Sequence, residues 1–270
     1  MISRLVLCTF AAFIFVSGAT AYRASAAIVA SHDFDAPMNL TGSTSSPIAF
    51  NGFTSTGDAW GIYDFNTGGP FSLFDDTVAG SGGGAAFAGD SLGIVQSTKT
   101  DSFFGINDTT NGDVADGEMT GTFTFDISSA TGGLTSIGID FAGMGDFEAS
   151  DLLTISYSID GGAFTDIFVS SVDEAVSKDY TMESGTVITL DDPMSINGVE
   201  LSNSFQTISA NVGGTGNSLT LQVFADTNAD EAIGFDNIVI NGLTAVPEPG
   251  AFFALMIGMA GVVTARRRRR

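Results

Sequence analysis

The segment FADTNADEAIGFDNIVI, residues 224–240, crowds Asp226, Asn228, Asp230, Glu231, Asp236 and Asn237 into one stretch. Carboxylate and amide oxygens at this density suit a hard divalent cation such as Ca2+, which gathers about six to eight oxygen ligands. The opening Asp226-x-Asn228-x-Asp230 has the spacing of a helix–loop–helix calcium loop. Its remaining positions do not follow, because Glu231 replaces the required glycine and Asn237 stands where the bidentate glutamate belongs. Alternation places Asp236 on one strand face with Ile238 and Ile240, and Phe235 with Val239 on the other. A strand apolar on both faces is buried, so Asp236 is expected inside, where a carboxylate must be paired, hydrogen-bonded or metal-bound. Lys99 and Lys178 are the only bases between Arg23 and Arg266. Calcium would satisfy several of these acids at once. The alternative is that each Asp holds a turn through its own backbone.

Other reactive types are sparse. His32 is the only histidine, and as a catalytic base it would need an oriented nucleophile beside it. A single histidine does not make a usual zinc site. Glycoside hydrolysis needs two carboxyls at a set separation, and Glu148 and Glu231 are the candidates for that chemistry. Trp60 and Tyr63, in DAWGIYDF, are candidates for a sugar-stacking platform, although aromatic side chains in a β-protein serve the core more often. The glycine-rich patch 79–89 lacks the Lys-Ser/Thr of a phosphate loop and reads as a surface loop.

The elements that must position these groups are strands. In TGTFTFDI, Phe123, Phe125 and Ile127 share a face opposite Thr122, Thr124 and Asp126. LTSIGIDF, LLTISYSI and SLTLQVF alternate in the same way, aligning Ile137, Ile139 and Phe141, then Leu153, Ile155, Tyr157 and Ile159, then Leu219, Leu221 and Val223. Asp160-Gly161-Gly162 is expected to turn a hairpin. Many short strands between Asn-Gly and Gly-Gly turns predict an all-β, jelly-roll-like β-sandwich over residues 27–243.

The ending DEAIGFDNIVI, and more loosely residues 143–164 with Asp146, Glu148 and Asp151, resemble secreted bacterial jelly-roll domains of the galactose-binding-like and concanavalin/laminin-G-like kinds. The resemblance implies that first and last strands lie side by side and share Ca2+ through their carboxylates. On that basis Asp33 and Asp35 of IVASHDFD join Asp226, Asp230, Glu231 and Asp236 as expected Ca2+ ligands.

The two ends read as addresses. Arg4, an apolar run from Leu5 to Val16 and small residues at 24–26 predict a signal peptide (residues 1–26, a signal helix) cut between Ala26 and Ala27. Removing it takes away Cys8, the only cysteine, and with it any disulfide or thiolate chemistry. At the other end, Val246-Pro247-Glu248-Pro249-Gly250, the apolar stretch 251–265 and Arg266 to Arg270 resemble the PEP-CTERM sorting domain (residues 244–270 here). That resemblance implies processing by an exosortase, a membrane protease, in bacteria that make exopolysaccharide. As a transmembrane helix, residues 251–265 would span about 22 Å, against a hydrocarbon core of about 30 Å. Five arginines behind it would stay on the cytoplasmic side.

Charge narrows the partners. Residues 27–246 carry 30 acids and 2 bases, a net charge of −28. Such a surface repels phosphate backbones, so no nucleic acid is expected as a partner. The sequence therefore predicts an exported, sorted, non-enzymatic surface or matrix protein with a structural or adhesive role. A carbohydrate-binding module is the alternative and a glycan-active enzyme a third reading. Extracellular polysaccharide is the expected partner beyond the exosortase and the transient membrane contact.

Overall fold

The computed structural model describes residues 22–35, 40–41, 58–64, 93–96, 98–110, 119–228 and 231–247. The expected signal helix, the PEP residues from Glu248 onward and the transmembrane helix 251–265 lie outside the described residues. Residues Ala24–Thr244 form one compact unit. Among the described residues there is no helix, and hence none long and apolar enough to cross a membrane.

The fold is an all-β, jelly-roll-like sandwich. Its six-stranded sheet has the order β12 (Val199–Glu200), β11 (Met194–Ile196), β8 (Thr165–Val172), β7 (Leu152–Ile159), β14 (Ser218–Asp226) and β5 (Met119–Asp126). The seven-stranded sheet runs β13 (Gln206–Asn211), β6 (Leu134–Met144), β15 (Ala232–Pro247), β1 (Tyr22–His32) and β2 (Leu40–Thr41). It is completed by β4 (Phe103–Asn107), which pairs with both β15 and β3 (Ala59–Tyr63). A separate hairpin joins β9 (Ser177–Thr181) to β10 (Val187–Asp191). First and last long strands, β1 and β15, are neighbours, as the jelly-roll resemblance implies.

The alternating segments become strands because each has one apolar face to bury. Phe123, Phe125, Leu219, Leu221, Leu153 and Ile155 of the six-stranded sheet meet Ile137, Ile139, Phe141, Ile233 and Phe235 of the other in one core. Aromatic rings fill its centre: Phe104 stacks on Phe235 at 4.9 Å, and Trp60 meets Phe104 edge-on at 5.1 Å. Asp160 and Gly161, both at positive φ, turn the β7–β8 hairpin at the expected place.

A second core lies on the outer face of the seven-stranded sheet. Phe103, Ala142, Met144 and Ala232 point outward there, under Ile94, Val95 and the β9–β10 residues Tyr180, Met182 and Leu190. Around β4, the end of β6 and the start of β15, this sheet is therefore covered on both sides.

Candidate functional site

Asp236 sits on β15 with no exposed side-chain surface, as its apolar neighbours predict. Its face differs from the simple alternation. The β6–β15 register pairs Asp236 with Asp140 and then Val239 with Gly138, so one extra residue is inserted. Asn237, at φ 50°, takes the left-handed position of that bulge. The bulge puts Ile238 and Ile240 on the inner face with Phe235, and leaves Asp236 on the outer face.

There Asp236 finds a lysine. Lys99 Nζ donates to Asp236 Oδ2 at 2.5 Å and to Asp101 Oδ1 at 3.2 Å, and the Asn237 N–H donates to Asp236 Oδ1 at 2.6 Å. Burial pushes the Asp236 carboxyl up to about 6, opposed by Lys99. The Lys99 ammonium also lies 4.5 Å from the centroid of Phe205. Phe205 and Ile94 come close because residue 234 is glycine: a Cβ there would stand 2.8 Å from Ile94 Cδ1 and 3.0 Å from Phe205 Cζ.

The other expected calcium ligands have separate surroundings. Asp33 Oδ1 accepts the Asp35 N–H at 3.3 Å, a turn held through its own backbone, and Asp35 accepts the Ser102 N–H at 3.0 Å. Asp226 accepts the Thr110 hydroxyl. Asp230 lies outside the described residues.

Glu231 does join a carboxylate group. Among the described residues, one set of three or more potential metal ligands lies within 4.8 Å of one another: Glu148, Asp151 and Glu231. Glu231 and Asp151 are buried and Glu148 is exposed. Asp151 accepts the N–H groups of Glu148 at 2.7 Å and Asn228 at 3.1 Å, tying the turn before β7 to the end of β14. Burial pushes its carboxyl up to about 7. Gly145 lets this group close up, since a Cβ there would lie 2.7 Å from Glu231 Cβ. Proximity in sequence joins Glu148 to Asp151, but nothing local links either to Glu231, 80 or more residues on.

Trp60 has no exposed surface, which corrects its candidacy as a sugar platform: the ring is packed in the core. Tyr63 is half-buried against Phe103, and burial raises its hydroxyl to about 12. His32 is buried too. Its ring lies 4.3 Å from Phe34, its Nδ1 accepts the Phe34 N–H at 3.4 Å, and burial lowers it to about 4. A ring held neutral in an aromatic core is not placed as a catalytic base for an external substrate.

The expected signal-peptide cleavage point lies on β1. Ala26 is exposed and Ala27 half-buried in β1, and Thr244 of β15 donates through Oγ1 to the Ser25 carbonyl at 3.4 Å. β15 itself continues through Val246 to Pro247, the first residue of the Pro-Glu-Pro sequence. The model of the PEP-CTERM protein-sorting motif matches residues 245–270. The C-terminus of this chain is a PEP-CTERM sorting motif.

No curated protein matches the chain. Among solved structures it is similar to the CBM22-1 xylan-binding domain of Paenibacillus barcinonensis Xyn10C, at 10% identity and TM-score 0.31, over 82% of this chain and 97% of that one. The family 11 carbohydrate-binding module of Clostridium thermocellum, solved with a mixed-linked tetrasaccharide, is 11% identical, with TM-score 0.29 and coverage of 80% and 98%. A family 61 module solved with β-1,4-galactotriose is 9% identical, with TM-score 0.29 and coverage of 53% and 71%.

Proposed function

We propose that this is an exported protein, processed by an exosortase at its PEP-CTERM motif and delivered to the cell surface or the exopolysaccharide matrix. Its acidic sandwich has a structural or adhesive role there, toward extracellular polysaccharide, and no catalytic one. The observation that carries the reading is the sorting motif at residues 245–270, entered directly from strand β15. The burial of Glu231 favours the non-catalytic reading, because a glycosidase pair must reach its substrate with both carboxyls. Replacing Pro247, Glu248 and Pro249 together by alanine tests the sorting step. The expected result is accumulation of the unprocessed chain in the membrane fraction. Release equal to the parent would refute it.

The reading includes a structural Ca2+, with Glu148, Asp151 and Glu231 as the described residues best grouped to hold it. Two buried carboxylates beside a third favour a cation that cancels their repulsion. EDTA is expected to lower the melting temperature of the purified protein, and excess Ca2+ to restore it. A melting temperature indifferent to both would remove Ca2+ from the account.

A further inference from the structure

Ile94, Gln96, Thr98, Lys99, Ser204 and Phe205 line a groove of about 190 Å3 on the outer face of the seven-stranded sheet. We propose that this groove binds one ring of a neutral saccharide. The source of that ligand, extracellular polysaccharide, rests on the function proposed above; its chemical class rests on the groove.

The charges disfavour an anionic ligand. The Lys99 ammonium lines the groove. It is already held by Asp236 at 2.5 Å and Asp101 at 3.2 Å, so the cluster as a whole carries more negative than positive charge. An anionic ligand would gain little from Lys99 and would meet two carboxylates behind it. A neutral ligand avoids that repulsion.

The remaining lining matches hydroxyls. The Gln96 amide and the Ser204 and Thr98 hydroxyls each donate and accept, as sugar hydroxyls do. Gln96 Nε2 and Ser204 Oγ are 3.5 Å apart, which sets two such groups side by side before a ligand arrives. Phe205 supplies apolar surface for the C–H groups of a pyranose, over the buried Ile94. The volume lies below the roughly 300 Å3 at which pockets for drug-sized ligands begin, so it suits one ring of a chain that continues into solvent.

The geometry is built into the fold. Lys99 is tied to the core strand through Asp236, and its N–H donates to the Gln96 carbonyl at 2.9 Å, closing the turn that presents Gln96. Phe205 is braced edge-on by Phe103 at 5.8 Å. Preorganisation of this kind reduces the entropy lost on binding.

The test is an array of neutral and acidic glycans probed with the full-length protein in detergent, followed by calorimetric titration of the best ligand. Binding to neutral pyranosides is expected, weakened at least tenfold by Gln96→Ala with no change in melting temperature, and also by Phe205→Ala. Gln96 is half-buried and belongs to neither core, so its variant keeps the test valid if Phe205→Ala fails to fold. Binding to acidic glycans only, binding to no neutral glycan, or affinity unchanged in Gln96→Ala would overturn the proposal. Neither variant touches residues 245–270, so normal C-terminal processing with no neutral-glycan binding would remove the groove and leave the sorting account standing.

Discussion

The two sheets of the sandwich bury their residues differently. Along β14 of the six-stranded sheet, burial alternates residue by residue, with Leu219, Leu221 and Val223 inward and Thr220, Gln222 and Phe224 half-exposed. β4 of the seven-stranded sheet is buried at every position, Phe103 outward and Phe104 inward. A sheet covered on both faces can hold polar groups in fixed, low-dielectric surroundings, which a solvated face cannot. Asp236 and its lysine, and the groove above them, are on the doubly covered sheet.

The comparison breaks if outward residues of the two sheets prove equally tolerant. Phe103→Ala, on the covered face, is expected to cost about 3–5 kcal/mol in urea unfolding, the usual range for a buried phenylalanine. Lys99→Met is expected to cost a similar amount, because it leaves a buried carboxylate unpaired, where breaking such a pair costs about 3–5 kcal/mol. The sign of its pH dependence follows from Asp236. Burial already raises that carboxyl to about 6, above its value in the unfolded chain, so the folded state favours the protonated form. Without Lys99 that preference grows. The variant is therefore expected to lose most stability near pH 8 and least near pH 5, where protonation neutralises Asp236. A pH-independent loss would mean that Lys99 acts by packing alone.

Gly234→Ala sharpens the comparison at smaller scale. Its methyl group would meet Ile94 and Phe205, at an expected cost of about 1–3 kcal/mol for overpacking. Thr122→Ala, on the open face of the other sheet, is expected to stay within about 0.5 kcal/mol of the parent. A large loss there would show that the six-stranded sheet is also covered.

The same contrast explains what was legible in the sequence. Phe123-x-Phe125 and Leu219-x-Leu221-x-Val223 alternate because one face of their sheet meets water, and those strands and the Asp160 hairpin stand where the pattern puts them. Where the second core covers the seven-stranded sheet, at β4 and the start of β15, the alternation is lost, so burial of Asp236 was readable from its neighbours but its face was not. The bulge at Asn237 that decides the face depends on pairing with β6, which no local pattern encodes. The β9–β10 cover presents Tyr180 and Leu190 as its buried strand positions, too few to mark it as the lid of a core. Lys99 meets Asp236 across 137 residues of chain, and Glu231 meets Glu148 and Asp151 only through the fold. Scarcity of bases narrowed the partner of Asp236 to two lysines; geometry chose between them.

Mass spectrometry of the exported protein, read at its C-terminus, tests the central claim most directly. The account predicts a chain ending near Pro247-Glu248-Pro249, without residues 251–265 and without the five arginines. An exported chain that still ends at Arg270 would contradict it.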